Sequence, residues 1–137
     1  MTDVSRRSFL RLLPGSALGV VTFRPATLRA PRIEHPEPRP GIDGSEVMTA
    51  EQLAAFPEQT IAIYDMVREI APIADGIGCS CGCSLLPNYR SLLTCFYATG
   101  MAMGCPICQG QARLAYRRVQ EGQSLEQIRR ATDARFG

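Results

Sequence analysis

From Ser45 onward, apolar positions recur at helical spacing, and the breaks between them fall at proline and glycine. Thr49-Ala50-Glu51-Gln52 has the form of a capping box, which predicts a short helix ending near Phe56, before Pro57. Pro57 suits the first position of a second helix, where its missing N–H costs nothing. Ile61, Tyr64, Val67, Arg68 and Ala71 then fall along one face, and Pro72 ends or kinks the helix. Gly76 and Gly78 open a loop that contains Cys79, Cys81 and Cys83. Asn88 is an N-cap candidate for a third helix over 88–99, closed by Gly100. Pro106 opens a fourth, with Leu114, Ala115 and Val119 on its apolar face and Gly122 as its stop. Ser124-Leu125-Glu126-Gln127 is a second capping box, starting a last helix that offers Leu125, Ile128 and Phe136 to the core. No alternating stretch is long enough for a strand. The expectation is an all-α domain over 46–137: a small bundle of about five short helices around a cysteine-rich loop, without internal repeat. A domain of this size buries only about 60–65% of its unfolded surface, so a cross-link or a metal would add usefully to its stability.

The residues before Ser45 follow other rules. Ser5-Arg6-Arg7-Ser8-Phe9-Leu10-Arg11 precedes a moderately apolar stretch over 12–23 that includes Pro14, Gly15, Ser16 and Gly19. This resembles a twin-arginine export signal over 1–30, with Arg11 where lysine is commonest. The apolar stretch is short for a bilayer core of roughly 30 Å. Such a signal implies a periplasmic or exported protein, carried across already folded. Cleavage is expected near Ala30, and an uncleaved signal would be the one route to a membrane tether. Residues 31–45, with Pro31, Pro36, Pro38 and Pro40, read as a Pro-rich linker, stiff, extended and solvated, with His35 in it.

Charge follows the same division. The formal net charge is +2, yet residues 1–30 hold five arginines against Asp3 alone, so the remaining 107 residues carry ten basic and twelve acidic groups. A slightly acidic body lacks the basic face that displaces counterions from phosphates, which argues against nucleic acid as a partner. No general acid–base pair presents itself, so no enzyme is expected.

Six cysteines carry the chemistry. Their order is Cys79-x-Cys81-x-Cys83, then Cys95, then Cys105-x-x-Cys108. Gly78 and Gly82 free the backbone around the triplet to turn several sulfurs to one point. Cys105 falls at a helix N-cap and Cys108 in the first turn, where unpaired N–H groups and the helix dipole favour thiolate. Cys95 either joins them across the link over 100–104 or packs as a small hydrophobe. Three readings stay open. Soft thiolates select Cu(I), zinc or iron–sulfur centres, and six donors with Met101 and Met103 beside them favour Cu(I). Met101 and Met103 have apolar packing as their ordinary alternative. Six cysteines in an exported domain also fit a disulfide framework stapling a structural subunit of an envelope complex, although residues two apart do not easily pair with each other. Cys105-Pro106-Ile107-Cys108 is similar to the C-P-x-C of glutaredoxins, a thiol redox motif, but lacks the strand that precedes it there.

Beyond spacing, the chain resembles the bacterial PCYCGC-motif family of exported or lipid-anchored proteins over about 57–137. The counterparts are Cys79-Ser80-Cys81-Gly82-Cys83, Arg90-Ser91-Leu92 leading to Cys95-Phe96, Cys105-Pro106-Ile107-Cys108, and Glu121-Gly122-Gln123-Ser124-Leu125-Glu126-Gln127-Ile128-Arg129. Gly78 stands where the motif has proline and Ser80 where it has tyrosine. The family's histidines near the cysteines are absent. The resemblance implies an exported, cysteine-rich fold with a site made more purely of sulfur. It implies no activity.

Overall fold

The computed structural model describes residues 33–137. The twin-arginine signal expected over 1–30 lies outside the described residues. Four α-helices form the body: α1 (Glu58–Glu69), α2 (Ala71–Asp75), α3 (Pro106–Gln120) and α4 (Leu125–Phe136). Three 3-10 turns, Cys83–Leu85, Leu93–Phe96 and Ala102–Gly104, lie in the long connection between α2 and α3. Among the described residues there is no strand, only an isolated antiparallel bridge between Val47 and Tyr97. None of the described helices is long and apolar enough to cross a membrane.

The punctuation read from the sequence places three of the helices. Pro57 is the N-cap of α1, one residue outside its expected position. Pro72 stands in the first turn of α2, so α1 ends at Glu69 and a one-turn helix restarts beside it. Pro106 is the first residue of α3, and Gly122 takes a left-handed φ of 75° to end that region. Ser124 accepts from Gln127 N–H while the Gln127 side chain accepts from Ser124 N–H, completing the box that opens α4. Helix α3 is central, with α1 packed on one side and α4 on the other. Ile63, Tyr64 and Val67 of α1 share the core with Ala112 and Ala115 of α3 and Ile128 of α4. Gly110 admits Phe136, whose ring would lie 3.1 Å from any Cβ placed there.

Two expected helices are absent and one is split into α1 and α2, so four stand among the described residues in place of five. Over 49–56 the capping box does form, with Thr49 N–H donating to Gln52 Oε1 at 2.8 Å. It propagates for one turn, through Leu53 N–H to Thr49 O, before Pro57. One turn does not outweigh the cost of helix nucleation. Over 88–99 the backbone groups find partners elsewhere. Leu92 N–H donates to Ile77 O at 2.7 Å, and Met48 N–H donates to Phe96 O. The Thr94 hydroxyl accepts from Ser91 N–H and donates to Ser91 O, competing with helical bonds. Leu92, Leu93 and Phe96 are all fully buried, each worth about 2 kcal/mol, so this segment is held by burial on several sides rather than by one amphipathic face.

The segment from residue 33 to 45 is extended but lies against the body. Asp75, fully buried at the end of α2, accepts from Arg39 N–H at 2.8 Å and from the guanidinium groups of Arg39 and Arg90. Ser91 Oγ donates to it as well. Burial alone would raise the carboxyl's pKa, yet the Arg39 hydrogen bonds hold it below the ordinary value. This clasp joins the extended segment, α2 and the start of the buried turn.

Candidate metal centre

The cysteine loop leaves α2 through Gly76-Ile77-Gly78 and is fixed on two sides. Gly78 N–H donates to His35 Nδ1 at 3.0 Å, and His35 Nε2 lies 3.0 Å from Asp133 Oδ1 of α4. His35 is therefore a bridge between the extended segment, the loop and α4, not the solvated residue its proline-rich neighbours suggest. A Cβ at Gly78 would lie 2.4 Å from the Glu34 carbonyl oxygen. Proline at this position would both clash there and lose the N–H given to His35. On the opposite side, the buried Gln111 side chain accepts from Ser80 N–H at 2.9 Å and donates to Gly78 O and to Ser80 Oγ. Gln111 lies three residues after Cys108, so one face of α3 supplies both a sulfur and the clamp that holds the facing loop.

The sulfurs of Cys79, Cys81, Cys83 and Cys108 lie within 4.8 Å of one another. Cys79 Sγ is 3.3 Å from Cys81 Sγ and 3.4 Å from Cys108 Sγ, and Cys108 Sγ is 3.5 Å from Cys81 Sγ. Cys79, Cys83 and Cys108 are buried and Cys81 is half-buried. The Cys81 and Cys83 sulfurs are at disulfide-bonding distance, with Cα atoms 5.6 Å apart. The expectation that cysteines two apart do not pair fails here because Gly82, at φ 85°, turns the backbone so that both side chains fall on the same side.

The other two cysteines differ from each other. Cys95 is fully buried, without the helix expected for it; its thiol donates to Ser91 O at 3.7 Å and it stands outside the group of four sulfurs. Cys105 is the N-cap of α3, where its sulfur accepts from Cys108 N–H at 3.4 Å, and it stands outside the group of four. Met101 Sδ lies 3.0 Å from Cys83 Sγ. Met103 packs half-buried against the core. The hydrogen bond with Cys108 draws the Cys79 thiol down to about 4. Cys108 is raised in turn, because its proton is held in the bond to Cys79. Tyr64, fully buried nearby, is pushed up to about 12 by burial.

Chemically, four sulfur donors converge without histidine or carboxylate among them. A tetrahedral thiolate site with metal–sulfur bonds of about 2.3 Å has sulfur–sulfur edges of about 3.8 Å. The 3.3–3.5 Å contacts reach that spacing by moving a few tenths of an ångström. The Cys81–Cys83 pair must be reduced to donate two thiolates. Gln111 carries no sequence motif, although its helical spacing from Cys108 is readable. His35 and Asp75 act across long separations that no local pattern announces.

Fold and centre together define a small all-α protein with a buried, sulfur-lined cluster that could hold a metal ion. Among known proteins, no family model, no curated protein and no solved structure matches the chain.

Proposed function

We propose that the protein binds a soft metal, Cu(I), through cysteine thiolates and serves to buffer, store or deliver it outside the cytoplasm. One observation carries the reading: four cysteine sulfurs within 4.8 Å of one another, three of them buried, with no hard donor in the group. Thiolate donors suit Cu(I), zinc and iron–sulfur centres. A donor set made only of sulfur, without imidazole or carboxylate, favours Cu(I) over zinc. The twin-arginine-like start supports export of a folded, loaded protein. The ordered motifs from Cys79 to Arg129 support placing it with the PCYCGC-motif proteins.

A second reading draws on the Cys81–Cys83 pair: a domain stapled by disulfides and docked in an envelope complex. Thiol counting and elemental analysis on the same preparation separate the two. Protein purified without reductant or oxygen, then denatured and labelled, should release nearly all six cysteines as thiols together with copper. Few free thiols and no metal would establish the stapled domain instead. Stoichiometric zinc or iron without copper would keep the centre and overturn the choice of Cu(I).

A further inference from the structure

We infer that Met101 is a thioether ligand at the mouth of the thiolate centre, the residue that makes the site prefer Cu(I) over zinc and through which the ion enters and leaves. This rests on the Cu(I) reading and gives it a specificity-determining residue. Met101 is 39% exposed while Cys83, whose sulfur it touches at 3.0 Å, is 2% exposed. A methionine serving only to fill the core packs against carbon, as Met103 does, half-buried on the core. Met101 instead spans from solvent to the buried sulfur.

Its backbone is held for that purpose on both sides. Gly100 presses so closely on Cys95 that a Cβ would lie 2.1 Å from the Cys95 carbonyl oxygen. After Met101, Gln109 of α3 donates its amide to the carbonyls of Ala102 and Met103 at 2.8 and 3.2 Å. Gly104 N–H closes the turn on Met101 O, and Ala102 is fully buried beneath it. The main chain is thus anchored to two walls of the centre, and the thioether projects from a fixed point.

Donor chemistry then assigns the role. A neutral thioether is a soft ligand that suits Cu(I), whereas zinc takes thiolate, imidazole and carboxylate. Adding it to thiolates raises affinity for Cu(I) without raising affinity for zinc. Being uncharged and partly in solvent, it is also the donor most readily exchanged against an incoming soft ligand. Ligand substitution of this kind moves the ion with no change of oxidation state and releases Met101 Sδ as the partner's sulfur binds. The partner chemistry that fits is a thioether- or thiolate-bearing carrier of Cu(I).

The test uses reduced full chain labelled with selenomethionine, loaded anaerobically with Cu(I) and, separately, with zinc. Selenium-edge X-ray absorption of the copper form should show copper as a selenium neighbour, and the signal should vanish in Met101→Leu but persist in Met103→Leu. Competition with a colorimetric Cu(I) chelator should show Met101→Leu weakened about tenfold, at the lower end of what loss of a supporting partner costs a metal site, with zinc affinity unchanged. Equal loss for both metals would make Met101 a packing residue and overturn the inference. So would the absence of a copper–selenium signal in protein that does bind Cu(I), or its loss in Met103→Leu instead. Wild-type protein that takes up no Cu(I) would instead overturn the thiolate reading on which the inference stands.

Discussion

The hairpin of α3 and α4 and the stretch from Ile77 to Cys105 are built by different means. In the hairpin every boundary has a local cause: Pro106, Gly122 and the Ser124–Gln127 box, with apolar residues facing one side. In the sulfur-bearing stretch the backbone is irregular, and its polar groups are satisfied by residues far away in sequence. Ile77 O serves Leu92, His35 and Gln111 serve Gly78, and Asp75 gathers Arg39, Arg90 and Ser91. Regular helices present side chains at fixed angular steps and suit packing. Several sulfurs that converge on one point need a chain that can turn at each residue, and such a chain must borrow its hydrogen bonds from its surroundings. The site half should therefore be sensitive to single distant groups, and the hairpin half to local ones.

The largest expected effect is at Asp75. Breaking a buried ion pair typically costs about 3–5 kcal/mol. Here the two guanidinium groups are 42% and 37% exposed and regain water, so Asp75→Asn should cost about 3 kcal/mol, at the lower end of that range. Urea denaturation would measure it. The pH dependence has a definite sign. The folded pKa of Asp75 is lowered, so the unfolded chain binds more protons, and stability is fully present above the unfolded value of about 3.9. It is lost as pH falls from there through the folded value. Asp75→Asn should flatten this acid limb, and an unchanged limb would show that the clasp contributes nothing.

Gln111→Leu comes next. It removes the partners of Ser80 N–H and Gly78 O while keeping similar bulk, which should cost about 2 kcal/mol for the groups left unpaired. The comparison is sharpened by a second readout. Cys79 lies between the two clamped residues, so metal bound by the reduced protein should pass to a chelator about tenfold faster, as for other losses of supporting hydrogen bonds. A stability loss with unchanged release would mean that the loop keeps its shape without the clamp.

How much could be read from the chain follows the same division. The caps and stops of α1, α3 and α4 were legible because their causes lie within four residues. The helix expected over 88–99 was not, since Asn88 and Gly100 mimic its ends while the bonds that decide the segment run to Ile77 and Met48. Spacing points to all six cysteines as one site, and the structure brings together the sulfurs of four of them, Cys79, Cys81, Cys83 and Cys108. Cys105 is the N-cap that the spacing predicts, but whether its sulfur joins the group depends on the angle at which α3 meets the loop, which spacing does not encode. The role of His35 is hidden for a related reason: four nearby prolines describe a solvated segment, whereas its partners at Gly78 and Asp133 are 43 and 98 residues away.

The smallest effect should isolate the hairpin. Ser124→Ala removes the hydroxyl that accepts from Gln127 N–H, and with it one side of the capping box that opens α4. Loss of such a cap costs about 1 kcal/mol. For a domain of this size that lowers Tm by roughly 4–8 °C. The Ser124 environment shares no hydrogen bond with the sulfur cluster, and residues that share no partners change stability independently. Thiol reactivity at Cys79 and metal stoichiometry should therefore match wild type at temperatures where both proteins are folded. A changed metal stoichiometry in Ser124→Ala would mean that α4 transmits strain to the loop through the His35–Asp133 contact, and that the two halves are not separable.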